Sequence, residues 1–394
     1  MSRVFIVDAC RTPIGRVGGA LGSVRPDDLA ALIIQSLVGR NPALDVQQVD
    51  DVVWGAANQS GEDNRDVARM AALLAGLPDS VPGVTVNRLC ASGMSAVVSG
   101  ARAITAGEAD IVIAGGSESM TRAPHVVGDA ERGFPAATEP ADTRLGWRLV
   151  NPRMQTAYPV ISLGETAEVV ADRYAIGRER QDEFALRSHE RAHAAWESAQ
   201  FRDEVVPVRQ PPVELATDEG IRSDTSLAAL GTLRPVFRHN GTVTAGNSSQ
   251  ISDGAAGMIL ASERTVLRWG VEPIARYVTS AAAGVHPNLM GIGPVPATRK
   301  VLQRAGWVLD DLDRIELNEA FAAQAVAVID QLHLDLDWVN QQGGAIALGH
   351  PLGCSGARLV GTLAHQLRAA GERRGLATLC VGVGQGQSVL LERP

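Results

Sequence analysis

Cysteine is scarce in this 394-residue chain, with residues only at positions 10, 90, 354 and 380. That spacing forms neither a CxxC metal pair nor a disulfide framework, so reduced thiols, a cytoplasmic setting and no bound metal are expected. Basic runs are lacking as well. The formal net charge is −8 and the isoelectric point about 5.6, which argues against nucleic acid as the main partner. No stretch approaches the ~18 consecutive apolar residues that a membrane span requires, so no membrane role is expected. Lysine occurs once, at Lys300, and arginine supplies the other fixed positive charges, a bias of composition rather than of mechanism. The opening segment, Ser2 to Asp8, reads as a first β-strand and not as a signal peptide.

What is abundant is apolar and small. Apolar residues make up 45% of the chain and glycines number 41, many set between short Val/Ile/Ala runs. Such a pattern predicts an α/β protein with a large core and many tight turns. Strands are expected at Val4–Val7, Val52–Trp54, Ala109–Ala114, Met258–Ala261, Arg314–Leu317 and Thr378–Val383, and helices at Pro26–Leu37, Arg65–Leu74, Pro296–Ala305 and Glu319–Gln331. From about Met120 to Val243 the chain is richer in charge and proline. One long amphipathic helix, Glu165–Ala199, is predicted there, inside an inserted loop-and-helix domain. An internal echo adds to this. Gly83–Gly116 runs strand, Cys90 loop, helix from Ser92-Gly93, strand; Trp338–Gly384 runs strand, His350 loop, helix from Ser355-Gly356, strand. Two copies of one unit would bring Cys90 and His350 to equivalent turns at the centre.

Cys90 lies where an apolar stretch hands over to a helix-prone one, Ala91 to Ala106. The free N–H groups and dipole of a helix start favour thiolate there, so Cys90 is a candidate nucleophile as well as a candidate small core residue. His350 sits among the glycines of Gly343-Gly344-Ala-Ile-Ala-Leu-Gly349-His350-Pro351, where backbone can approach a ligand, and an imidazole could take the thiol proton and leave an ion pair. In Leu379-Cys380-Val381-Gly382-Val383-Gly384-Gln385-Gly386, too few residues follow for a dinucleotide-binding unit. The glycines are better read as exposing N–H donors beside a second thiol. Asn318, in Glu316-Leu317-Asn318-Glu319-Ala320-Phe321, is either a helix cap or an amide presented to a cleft.

Together these motifs resemble those of the thiolases, from Val4 to Leu391. Arg11-Thr12-Pro13-Ile14-Gly15, Gly115-Gly116-Ser117-Glu118-Ser119-Met120, Thr244-Ala245-Gly246-Asn247-Ser248 and Met290-Gly291-Ile292-Gly293-Pro294 extend the likeness. The resemblance implies a thiolase fold: two pseudo-symmetric βαβαβαββ halves in an α/β/α/β/α core with an inserted loop domain. Residues 1–119 with 244–271 would form the first half, 120–243 the insertion and 272–394 the second half. It implies a CoA-dependent acyltransferase that cleaves 3-ketoacyl-CoA. Cys90 would attack and carry the acyl group, and Cys380 would move the α-proton. His350, with a water held by Asn318, would serve the enolate oxygen, and the N–H groups of Cys90 and Gly382 the tetrahedral intermediate. Such a donor is typically worth ~2.7–4 kcal/mol. Arg222 and Ser249 would contact CoA, and Met290, Ala320 and Phe321 would line the acyl pocket. The partners implied are acyl-CoA and CoA alone, with no metal or redox cofactor, in a homodimer or homotetramer.

Many biosynthetic acetoacetyl-CoA members carry His-Met where this chain has Ser162-Leu163, and Gly-Leu-Asn-Asp where it has Gln250-Ile251-Ser252-Asp253. These departures favour a degradative enzyme over the biosynthetic alternative. Asn58-Gln59 and Gly61-Glu62-Asp63-Asn64-Arg65 resemble bacterial 3-oxoadipyl-CoA thiolases of aromatic breakdown, and a general fatty-acyl substrate fits nearly as well. A decarboxylating ketoacyl synthase would place a second His or Asn where Cys380 stands, and a silent CoA-binding relative would lack at least one of Cys90, Asn318, His350 or Cys380.

Overall fold

The computed structural model describes residues 2–128 and 140–394. Nine main strands and a short one at Gly15–Arg16 share one hydrogen-bonded sheet. In chain order they are β1 (Val4–Arg11), β2 (Asp51–Gly55), β3 (Gly83–Val86), β4 (Ile111–Ser119), β5 (Ser252–Ser262), β6 (Ala275–Gly284), β7 (Arg314–Leu317), β8 (Arg374–Val381) and β9 (Gln385–Glu392). Their spatial order is β3-β2-β4-β5-β1-β6-β9-β8-β7. About the β1/β6 pair, where Val4, Phe5 and Ile6 meet Tyr277, Arg276 and Ala275, the order is nearly symmetric: β5, β4 and β2 on one side answer β9, β8 and β7 on the other, and β3 answers to no strand among the described residues. In each half the outer strands run parallel (β3/β2/β4 and β7/β8) and the inner ones antiparallel. This is the pseudo-symmetry that the echo around Cys90 and His350 predicts.

Period-two patterning sorts the side chains into layers. In β4, Ile111 and Ile113 face an outer cluster with Leu29, Ile33 and Leu37 of α1 (Pro26–Arg40) and Ala68 and Ala71 of α2 (Val67–Leu74), whereas Val112 and Ala114 face inward. In β8, Leu376 faces an outer cluster with Val301 of α6 (Pro294–Ala305) and Val326 and Ile329 of α7 (Ala322–Leu332). Ala377, Leu379 and Val381 face inward. The inward faces bury Met94 and Val97 of α3 (Ser92–Ala106) together with Leu359, Val360 and Leu363 of α8 (Leu352–Ala370). The layers are therefore helix, half-sheet, paired central helices, half-sheet, helix, the two half-sheets being continuous through the β1/β6 pair. Leu89–Ala106 is long and apolar enough to cross a bilayer, but it packs at this centre.

Small residues let the central helices meet backbone to backbone. A Cβ on Gly93 would lie 2.6 Å from the Gly353 carbonyl oxygen and 2.9 Å from the Ala357 amide, and one on Gly356 would strike the backbone of Met94. The two helix starts consequently share one spot.

Three expectations are corrected. The predicted helix 165–199 is two, α4 (Leu163–Tyr174) and α5 (Arg178–Glu197). The break falls where Ala175 turns left-handed at φ 53 and drives Ile176 into the second half's core. The strand expected at Trp338 is a 3-10 turn, Leu336–Trp338, followed by a single bridge from Val339 to Ile315. At that edge the Asn340 side chain replaces a ladder, accepting from Leu317 N and donating to Leu317 O, both at 2.8 Å. The helix expected from Glu319 starts only at Ala322, so Asn318 caps nothing. The insertion between β4 and β5 carries α4, α5 and two small hairpins, His125–Val126 with Ala141–Asp142 and Val208–Gln210 with Val213–Leu215.

Because its Cβ would meet the α8 backbone at Gly353 and Ala357, Gly93→Ala is expected to destabilise the fold by about 1–3 kcal/mol in urea unfolding. A loss below about 0.5 kcal/mol would contradict this account of the central contact.

Candidate active site

The Cys90 turn is built by local hydrogen bonds. The Asn87 side chain accepts from Leu89 N at 2.8 Å and donates to Ala57 O at 3.0 Å. Ser92 Oγ accepts from Arg88 N and donates to Leu89 O. These bonds hold Leu89 in the left-handed region at φ 47, a costly conformation for a branched residue. Cys90 follows in a 3-10 turn, Leu89–Ala91, immediately ahead of α3. Its sulfur faces the backbone N–H of Gly382 and its own N–H. Burial outweighs both donors, and Glu118 opposes ionisation further, so the thiol is pushed up to about 11. The thiolate expected from the helix start is not the resting form.

Cys380 lies fully buried at the end of β8, just before Gly382. Burial raises its thiol first, and the neighbouring Cys90 raises it further. It packs in one cluster with Met290, Ala320 and Phe321, with Leu163 and Phe237 against them. The structure thus joins the three proposed pocket residues to the second sulfur. A Cβ at Gly382 would lie 3.1 Å from Leu89 and 3.8 Å from Leu163, so Gly382 keeps the Cys90 turn and α4 close.

His350 is 5% exposed and precedes α8. Its Nδ1 lies 2.6 Å from Ser355 Oγ, and that hydroxyl donates to Pro351 O at 2.8 Å. With the hydroxyl proton spent, Nδ1 must carry the ring proton, leaving Nε2 as an acceptor 3.3 Å from Asn318 Nδ2. Burial, then Arg358, holds the imidazole down at about 3, so it is neutral at physiological pH. The Cys90–His350 ion pair expected above is therefore absent at rest: burial disfavours both charged forms, and the ring nitrogens are engaged by Ser355 and Asn318. Asn318 is fully buried, and its Oδ1 has no hydrogen-bond partner among the described residues.

The remaining candidates separate. Ser249 is half-buried, and its N–H bonds Ala320 O at 3.0 Å, tying the 248–249 segment to the pocket wall. Arg222 is exposed on the insertion, outside the buried cluster, and its N–H donates to His189 Nδ1. Ser162 lines nothing by necessity: it forms a capping box with Glu165 at the start of α4. Several supporting residues were missed. Ser355 orients the ring, one turn into the helix that follows His350. Gln250 O and Ser252 Oγ both receive His350 N–H at 3.3 Å. The unusual Gln250-Ile251-Ser252 run was the available signal.

Chemically, two neighbouring thiols with the N–H groups of Cys90 and Gly382, and a neutral imidazole with the Asn318 carboxamide, are buried on segments that the contact between α3 and α8 draws together. That set can relay protons between sulfur and carbon and hold an oxyanion. In the free protein, iodoacetamide labelling of Cys90 is expected to keep accelerating above about pH 9, following a thiol that ionises high. A labelling rate that levels off below about pH 8 would contradict the burial argument.

The chain matches known proteins over its full length. The thiolase N-terminal domain model matches residues 4–264, and the thiolase C-terminal domain model matches residues 271–393. A β-ketoadipyl-CoA thiolase of Pseudomonas putida is 55% identical, with all of both chains covered. The 3-oxoadipyl-CoA/3-oxo-5,6-dehydrosuberyl-CoA thiolase of Escherichia coli is 54% identical over the same full extent. Among solved structures, the acetyl-CoA acetyltransferase of Bacillus anthracis superposes with a TM-score of 0.93 at 42% identity, covering 100% of this chain and 99% of that one. Human mitochondrial 3-ketoacyl-CoA thiolase in complex with CoA does so at 0.93 and 38%, covering 100% and 98%. The chain belongs to the thiolase family.

Proposed function

We propose that this protein is a degradative thiolase whose preferred substrate is 3-oxoadipyl-CoA, cleaved with CoA to succinyl-CoA and acetyl-CoA. The observation that supports this chemistry is that Cys90 and Cys380 are buried neighbours beside the Gly382 N–H, while the helix that His350 precedes meets the helix that Cys90 precedes backbone to backbone. The choice of acyl chain is supported by the two β-ketoadipyl-type relatives at 54–55% identity over the full length.

In the proposed cycle, His350 Nε2 takes the Cys90 proton as the sulfur attacks the 3-keto carbon. The new oxyanion is met by the N–H groups of Cys90 and Gly382. The C2–C3 bond then breaks, leaving a succinyl thioester on Cys90 and the enolate of acetyl-CoA. Having gained its proton, His350 Nε2–H donates to the enolate oxygen, with a water held by Asn318 as second donor. Cys380 gives its proton to C2 and becomes a thiolate. That thiolate takes the proton of an incoming CoA thiol, which attacks the succinyl group; Cys90 leaves and recovers its proton from His350. Each side chain ends with its starting protonation, the Cys90 proton returning from His350 and the CoA thiol proton replacing the one Cys380 gave to C2, so the cycle calls for no metal or redox cofactor. Ser249 would approach the CoA pantetheine arm and Arg222 its phosphate end, while Met290, Ala320 and Phe321 would line the acyl pocket.

The raised thiols suit this sequence. A buried Cys380 stays protonated until the enolate needs its proton, and the resting Cys90 is shielded from adventitious reaction.

kcat/KM measured side by side for 3-oxoadipyl-, 3-oxohexanoyl-, 3-oxopalmitoyl- and acetoacetyl-CoA tests the substrate reading. The 3-oxoadipyl thioester is expected to lead, and a clear preference for acetoacetyl-CoA would overturn it in favour of a biosynthetic enzyme. Cys90→Ser is expected to abolish acyl-enzyme formation. Cys380→Ser should spare acyl exchange between CoA thioesters while losing C–C cleavage; retained cleavage would remove Cys380 from its role.

A further inference from the structure

We propose that Glu118 is a positioning residue for the reaction proposed above: its buried carboxylate spans the two halves and fixes the His350 turn against the Cys90 turn. Glu118 stands near the end of β4, opposite Gly254 of β5, and is 2% exposed. Its carboxylate accepts three backbone N–H groups. Ala57 N (3.0 Å to Oε2) and Asn58 N (3.1 Å to Oε1) belong to the loop after β2, the same loop that Asn87 grips from the Cys90 turn. Gly353 N, at 2.8 Å, belongs to the first turn of α8, three residues beyond His350. One side chain therefore ties the nucleophile's loop to the turn that carries the base.

The packing fits that role alone. A Cβ at Gly353 would lie 2.9 Å from Glu118 Oε2, so only glycine lets the carboxylate sit over the start of α8, where the free N–H groups and dipole favour a negative charge. The other end of the His350 segment is held in the same manner. Glu319 accepts from Ser188 Oγ at 2.6 Å, Asn340 Nδ2 at 2.7 Å and Ile346 N at 3.1 Å, four residues before His350. Of the two buried carboxylates, Glu118 alone comes from the first half and acts electrostatically on Cys90. Burial first, and then Asp63, raises Glu118 to about 7, and the other titratable groups around it are the thiols of Cys90 and Cys354.

A role of this kind leaves a signature of opposite signs. Glu118→Gln keeps the size of the side chain but turns one acceptor into a donor facing backbone N–H groups, and it removes a charge that adds to burial in raising the Cys90 thiol. Thiolysis kcat is expected to fall at least about tenfold, with KM for CoA within about twofold of the parent, because a small displacement of the base costs turnover rather than binding. Over the same pH range, Cys90 of this variant is expected to react faster with iodoacetamide. Glu118→Asp retains the charge but withdraws the oxygens, so it should lower kcat with alkylation unchanged. Glu319→Gln should do likewise. Turnover is read with whichever 3-oxoacyl-CoA the parent cleaves best, which separates this test from the substrate assignment. A kcat within about twofold of the parent in both Glu118 variants would overturn the proposal. So would turnover and alkylation falling together, the pattern of general collapse.

Discussion

The backbone contact between the starts of α3 and α8 is the constraint on which the site depends. Cys90 and His350 lie 260 residues apart in the chain (350 − 90), on turns that lead into these helices. Neither turn can reach the other unless the helices touch without side chains between them. Gly93, Gly353 and Gly356 provide that approach, and any Cβ there would meet backbone or another buried group. Close packing of this type has no slack, so an added methyl moves an element rather than filling a gap. The nearly symmetric sheet order then follows as the frame that presents two like helices to one centre.

Burial decides the resting state of that centre. Both thiols are raised, His350 is lowered, and the free protein holds its reactive groups uncharged. A low-dielectric site makes each later charge costly unless a donor is already aimed at it. The N–H groups at Cys90, the Ser355-fixed tautomer of His350 and the Asn318 amide are such donors and acceptors, assembled before substrate arrives. Preorganisation of this kind avoids reorganisation at the moment charge develops.

Much of this was legible in the sequence, for definite reasons. Runs such as Val4–Val7 and Arg314–Leu317 are short, apolar and bounded, and they form strands where expected. The repeated order around Cys90 and His350 exposed the pseudo-symmetry because each copy carries a small-residue helix start. The failures lie where a local pattern met a tertiary demand. Helical spacing ran through Ala175, yet Ile176 had a core to fill and the helix broke there. The strand expected near Trp338 gave way to Asn340, whose amide imitates a peptide group. The thiolate expected at Cys90 came from a helix-end argument that carried no term for burial. Gln250 and Glu118 reach the His350 segment from distant parts of the chain, which no spacing encodes, whereas Ser355 lies only five residues beyond the ring it holds.

Acylation of Cys90 in the absence of free CoA tests most directly whether the helix contact creates the site. After incubation with 3-oxoadipyl-CoA, mass spectrometry of the parent protein is expected to find a succinyl group on the tryptic peptide Leu89–Arg102, which contains Cys90. Gly356→Ala, whose Cβ would drive into Met94, is expected to lose that adduct while Cys90 stays open to iodoacetamide. A succinyl group found on another cysteine, or undiminished acylation in Gly356→Ala, would contradict the account.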